Sequence, residues 1–446
     1  MREFSFRWQE GLFKGLRPNA VMPKNSPYLY DAYNVRVGSF GLERPTPIST
    51  LITGTDVGKK FTDISWPMPQ IIRTSIGVFA ADDAELRSFD PTIASPFTVV
   101  LTGLSNTLSY QYDVADFGLY QFWTNGSTCI LRSDAGVWSV YAATLKPYTV
   151  CNYRGQLVAG GFGSTTYKNI VAWSGIGEVD PAILFSTSLG VDTTDYSTQK
   201  NTSGNRRMDW SGQVLTVKPL GKYVIIYGEN GITAMAGVEE PAPTFGFINL
   251  KDFGILNRGV VGGDEKGHVF VDKDDWLWSV DTELNFKRLG YKEYIAPLHT
   301  GIGPKIIVSL DPYLRDYYIA GASTVSLGSL LLADGLSKIP WTPTSIIREN
   351  TYTSVGGSLF GPRLIYGDYI PYVVTEIFDM QNRTIKFLPS LAIGHESTNV
   401  YAAVDYKYKS SEVFRTTSYK TISKEGLVSP QISGIEFRLR IKGAIV

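Results

Sequence analysis

The sequence predicts an all-β protein: a β-propeller-like body of about five to seven irregular blades with an additional β platform module. Three observations carry that prediction. Aromatic residues make up 13% of the 446-residue chain, with 26 Tyr, 22 Phe and 9 Trp, and such rings fit the pleated, half-buried face of a strand. Helical periodicity is nearly absent. Between residues 60 and 370, short apolar runs alternate instead with Gly, Asp, Asn and Ser turns.

Taken in order, the chain first offers a short helix. In residues 25–34, Ser26 can cap, Pro27 suits a first helical position, and Tyr28, Leu29 and Ala32 share a face. A strand follows, broken by Gly38 and Gly41 as a hairpin would be. The repeats come next, at 75–90, 124–141, 153–175, 221–237, 266–281, 315–334 and 354–368. Each reads as strand, tight turn, strand. Such hairpins cannot bury a face alone, but stacked radially they can. In 266–281 the turn 272–275 joins strands whose inward residues are Val269, Val271, Leu277 and Ser279, or the opposite set. No WD40 or kelch signature accompanies these repeats.

After residue 371 the strands lengthen and become more polar. In the last of them, Phe437, Leu439 and Ile441 alternate with Arg438, Arg440 and Lys442, the pattern of a half-buried strand with a basic outer face. The division expected is an N-terminal segment 1–45, a propeller-like domain 46–370 and a C-terminal β module 371–446. Because chain ends often meet, the first and last parts can pair into the platform.

Composition excludes several functions. Lys and Arg total 42, as do Asp and Glu, and a protein that gripped DNA over its whole surface would be basic. Zero net charge favours association. Cys129 and Cys151 lack metal-site spacing and read as small core residues. No stretch reaches the roughly 18 apolar residues of a membrane helix. The N-terminus MREFSFRWQEGLF has no apolar signal core, so synthesis in a cytosol is expected.

Catalytic patterns are equally sparse. His268, His299 and His395 have no partner at triad or metal spacing, and Gly228, Gly231 and Gly237 miss the dinucleotide spacing. Asp82-Asp83 and Asp272, Asp274 and Asp275 read as hairpin turns sooner than calcium loops, because Trp276 stands where a ligand is needed. The segment RSDAGVWSV (132–140) approaches a sialidase box, but Arg132 replaces its Ser and the spacing is one residue short. Scattered Arg73, Arg132 and Arg258, or a carboxylate pair with no fixed spacing, leave a carbohydrate-binding or carbohydrate-cleaving propeller as the alternative. No cofactor or metal is expected.

Several segments together resemble the tail nozzle or hub proteins of short-tailed double-stranded DNA bacteriophages. In GLRPNAVMPKNSPYLYDAYNVRVGSFGLERP (15–45) the matching residues are Ala32, Asn34, Val35, Gly41, Leu42, Arg44 and Pro45. CNYRGQLVAGGF with NIVAWSGIGEVDPAILF (151–185), YVIIYGENGITAM with the run 245–280, and IIVSLDPYLRDYYIA (306–320) extend the likeness over 1–370. The resemblance implies a structural, non-enzymatic virion protein made in the host bacterial cytoplasm and built into the tail. It implies a homohexameric ring with a propeller-like body and a platform from the chain ends. That ring would dock on an adaptor ring, hold tail fibres or spikes, and let double-stranded DNA pass during ejection. Phe4, Phe6, Trp8 and Phe13, with Arg438 and Arg440, are the expected partner-docking residues.

Overall fold

The computed structural model describes residues 14–19, 21–38, 41–43, 50–51, 70–81, 84–89, 97–105, 112–141, 146–163, 166–176, 203–238, 245–299, 306–312, 314–321, 329–340, 346–348, 358–360, 371–379, 384–393 and 399–443. These residues form an all-β fold of small antiparallel sheets arranged as a propeller.

Among the described residues, six four-stranded meanders come from consecutive stretches of chain; five are separate sheets and the sixth is part of a larger one, and we call them blades I to VI. Blade I runs from Gln70–Thr74 to Phe97–Thr102, and blade II from Asp113–Phe117 to Trp138–Tyr141. Blade III starts at Pro147–Tyr153 and ends at Gly204–Arg207; blade IV starts at Val214–Leu220 and ends at Phe245–Lys251. Blade V spans Val261–Asp264 to Phe286–Gly290, and blade VI spans Ile306–Leu310 to Leu336–Ile339. A seventh sheet joins Ile346–Arg348, Ser358–Phe360 and the early strand Thr50–Leu51, which pairs in parallel.

The first strands of the blades pack side by side. Blade III's touches those of blades II and IV, blade IV's touches blade V's, and blade V's touches blade VI's. The first strand of the seventh sheet meets that of blade I, and blades I and II touch through their last strands. A blade in such a ring has neighbours on both faces. Its strands therefore lose the apolar–polar alternation of a one-sided sheet. Gln156–Phe162 is buried at every position. Blade V buries Val269, Phe270, Val271, Leu277 and Val280, so both face sets go inside rather than one.

Aromatic rings fill the seams. Between blades I and II, Phe79 meets Trp123 at 5.7 Å and Trp138 at 5.1 Å, edge to face. Between blades III and IV, Trp173 meets Phe245 at 5.4 Å. Each such pair adds about 0.5–1.5 kcal/mol beyond its buried area. In blade IV, Trp210 lies on the turn between the second and third strands. A Cβ on Gly228 or Gly231 would come within 2.1 or 2.2 Å of the Trp210 ring, so only glycine fits either position. Those glycines serve a hairpin, with the Gly228 amide bonded to the Gly231 carbonyl.

The helix expected at 25–34 is a strand, Leu29–Tyr33. The register shows why the pattern misled. A bulge falls between Leu29, opposite Thr375, and Asp31, opposite Val374. The extra residue puts Leu29 and Ala32, three apart, on the same buried side, which imitates helical spacing. Ser26 accepts from the Tyr28 amide in a turn instead of capping a helix. The hairpin at Gly38 and Gly41 forms with Val37 opposite Leu42. Among the described residues the α-helix lies elsewhere, at Lys292–Ile295, followed by a 3-10 turn, Ala296–His299, between blades V and VI.

Leu29–Tyr33 is also the splice of the molecule. It pairs in parallel with the last strand of blade VI and antiparallel with Tyr372–Thr375. From there the sheet continues to Glu436–Gly443, then to Val400–Lys407 and its partners Arg415–Thr416 and Lys420–Thr421. Blade VI and the strands from both chain ends thus share one ten-stranded sheet. In Glu436–Gly443, Phe437, Leu439 and Ile441 are buried while Arg438, Arg440 and Lys442 are half-buried.

Candidate docking surface

Strand register assembles the site. Antiparallel partners directly opposite each other point to the same face. Val374 is opposite both Asp31 and Arg440, Tyr372 is opposite Lys442, and Tyr401 and Asp405 are opposite Lys442 and Arg438. All of them therefore lie on the outer face of the shared sheet. Phe437, Leu439 and Ile441 occupy the other face, inside the core.

Cations and rings alternate across this face. The Arg438 guanidinium lies 3.9 Å from the Tyr30 ring centroid and 4.6 Å from that of Phe414. Arg17 stands over Tyr30 at 5.3 Å and Lys407 over Phe414 at 4.8 Å. Lys442 sits 4.0 Å over Tyr419. A cation over a ring gains about 0.5–1 kcal/mol when exposed and more when partly desolvated.

The carboxylates are all engaged. Asp31 accepts from Lys338 at 2.9 Å and from the Tyr372 hydroxyl at 3.0 Å. Burial, then the Asp31 charge, pushes the Tyr372 phenol well above its usual range, so it stays protonated and donates. Asp405 accepts from Arg440 Nε and Thr416 Oγ1, both at 2.7 Å. Glu436, nearly buried, is bridged by Lys24 and Lys407. Burial opposes ionisation of Glu436, but hydrogen bonds from the two lysines prevail and lower its pKa. A cleft of about 220 Å³ lies between these groups, lined by Tyr30, Asp31, Tyr372, Val374, Tyr419 and Arg440.

Of the expected docking residues, Arg438 and Arg440 fall on this face, and Phe4, Phe6, Trp8 and Phe13 lie outside the described residues. Tyr30, Phe414, Tyr419 and Asp405 complete the surface and were not singled out from sequence. They lie far apart in the chain, and no local pattern marks them.

The other candidates resolve as structure. Asp272 accepts from the Asp274 and Trp276 amides through one oxygen and from Trp278 Nε1 through the other, as a hairpin turn requires. The Asp82-Asp83 pair lies outside the described residues, as does His395. Among the described residues no group of three His, Cys, Asp or Glu is placed to hold a metal. Arg258 is buried between blades, donating to the Tyr148 and Thr124 carbonyls and pairing with Asp113 at 3.0 Å. Arg132 stacks on Trp138 within blade II. His268 bridges blades IV and V. Its Nε2 bonds the Pro219 carbonyl and its Nδ1 the Tyr227 hydroxyl, both at 2.9 Å. Burial lowers its pKa to about 3, so it is neutral. Cys129 and Cys151 are buried free thiols.

No family model matches the chain, and no curated protein does. Similar solved structures include three, all at low identity. PorZ, a surface component of the type-IX secretion system of Porphyromonas gingivalis, matches at 10% identity and a TM-score of 0.33, over 70% of this chain and 42% of that one. A chain of the mitotic checkpoint complex matches at 11% and 0.40, over 70% and 92%. An auxiliary nutrient binding protein from Bacteroides thetaiotaomicron matches at 9% and 0.34, over 57% and 66%. The chain thus spans less than half of the PorZ chain.

Proposed function

We propose that the protein is a structural, non-catalytic ring subunit: the tail nozzle or hub of a short-tailed double-stranded DNA phage. It is made in the bacterial cytoplasm and built into the virion tail. Six copies form the ring, dock on an adaptor ring, carry fibres or spikes, and surround the path of ejected DNA.

One observation carries the reading. A propeller body continues without a break, through Leu29–Tyr33, into a sheet made from both chain ends. That is the body-plus-platform arrangement implied by the likeness of residues 15–45. The charge pattern agrees. Arg36, Arg258, Arg315 and Arg440 are each tied to an acid, which leaves fewer cations to grip a passing phosphate backbone. Electron-microscopic class averages of the purified protein, alone and with its adaptor ring, test the proposal. A six-fold ring in either sample supports it. A 49.3 kDa monomer in both overturns it.

A second reading has one observation in its favour: three tyrosines, an aspartate and an arginine line the cleft. Aromatic faces with a few polar groups suit a sugar ring. Glycan-array binding that Tyr419→Ala abolishes would support carbohydrate recognition there.

A further inference from the structure

We propose that the outer face of Glu436–Gly443 and its neighbours docks an acidic surface of a partner protein, with Arg438 as the anchoring receptor for a carboxylate. The inference stands on the geometry of this face and does not need the ring.

Arg438 is placed for that task. Its guanidinium is sandwiched between Tyr30 and Phe414, which fixes its plane. Its register partner Asp405 is turned to Arg440 instead. Among the described residues Arg438 has no carboxylate and no side-chain hydrogen bond, and its Nε is buried without a partner. Lys442, on the same strand, has Tyr419 but no carboxylate. The nearby acids Asp31, Asp405 and Glu436 are each paired with another base, Asp405 through its Oδ1 while its Oδ2 has no hydrogen bond. A stacked guanidinium keeps its donor fork in one plane, which matches a carboxylate bidentately.

The surroundings fit a protein partner better than nucleic acid. Tyr30, Tyr401 and Tyr419 are each more than a third exposed around the cation pair. Tyr and Arg at the centre of a patch are the composition of an interface core. A phosphate backbone is gripped by rows of unpaired cations. Here Arg440, which stands between Arg438 and Lys442, is already paired with Asp405.

Fluorescence anisotropy of a labelled peptide of alternating Glu and Gly tests the proposal at low salt. Wild type binds, and Arg438→Gln weakens binding by about ten-fold or more, as loss of a charge-assisted pair implies. Arg438→Lys restores only part, because an ammonium lacks the planar fork. Lys420→Gln, an exposed lysine bonded to the Ser429 carbonyl, changes affinity by less than about two-fold. Equal losses from Arg438→Gln and Lys420→Gln overturn the proposal, as does no loss from either. Tighter, Arg438-dependent binding of a short DNA duplex overturns it in favour of nucleic acid. If Arg438→Gln does not fold, the peptide must shield Arg438 of the wild type from phenylglyoxal; undiminished modification also overturns the proposal. Oligomeric state, measured on the same samples, scores the ring reading separately.

Discussion

Blades III to V and the sheet made from the chain ends are both antiparallel β, yet they draw their strands from very different distances along the chain. In the blades each strand pairs with its neighbour in sequence, as Val158 does with Trp173, and both faces are apolar. In the end sheet, residues more than 300 positions apart pair, as Leu29 does with Thr375. There ion pairs add to the apolar core that Leu29, Val373, Val404, Leu439 and Ile441 share. Lys24 and Lys407 bridge Glu436, Arg17 reaches Glu376, and Lys338 of blade VI reaches Asp31. Closing a long loop costs entropy that local hairpins avoid. Directional charge pairs fix a register that a short apolar strand would leave loose. Where the pair is buried, as Lys407–Glu436 is, losing either partner is costly.

The largest effect is expected where a charge is buried inside the apolar blades. Arg258→Ala leaves Asp113 with only its Thr149 hydroxyl and removes the Arg258 donor from the Tyr148 and Thr124 carbonyls, at a cost of about 3–5 kcal/mol. The urea midpoint should fall sharply. An unchanged midpoint would mean that blade faces cohere without this pin.

Glu436→Gln comes next. It leaves Lys407, about 10% exposed, without its carboxylate, and costs about 2–3 kcal/mol once the exposure of Lys24 is allowed for. Hydrogen exchange should show residues 371–443 losing protection while blades III to V keep theirs. Uniform loss across the chain would break the contrast between the regions.

Read over a single pH unit, the smallest effect is a pH slope from His268. Its folded pKa, about 3, lies below its unfolded value of 6.5. The unfolded chain therefore binds the proton first. The contribution is fully present above pH 6.5 and is lost as pH falls from there toward 3. The slope from this group approaches about 1.4 kcal/mol per pH unit. His268→Gln should flatten it in thermal melts, and an unaltered slope would place the titration elsewhere.

Much of the blade region was legible because its information is local. Turn residues and apolar runs mark each hairpin, as at 266–281 and 221–237. The docking face was legible only in one strand, where Arg438 and Arg440 alternate with Phe437, Leu439 and Ile441. Tyr30 was obscured by the bulge at Leu29–Asp31, which gave a strand the spacing of a helix. Phe414 and Tyr419 follow no period, since the strands near them are two residues long.

The sequence by itself determined the β class, the repeated hairpins and the outward basic stripe, because turn chemistry and side-chain alternation act over a few residues. Tertiary structure alone decided that Leu29–Tyr33 joins blade VI to the C-terminal strands. It alone decided that Asp405 goes to Arg440 and leaves Arg438 between two rings. Those outcomes depend on which distant strands become neighbours, and that is set by the burial of whole faces.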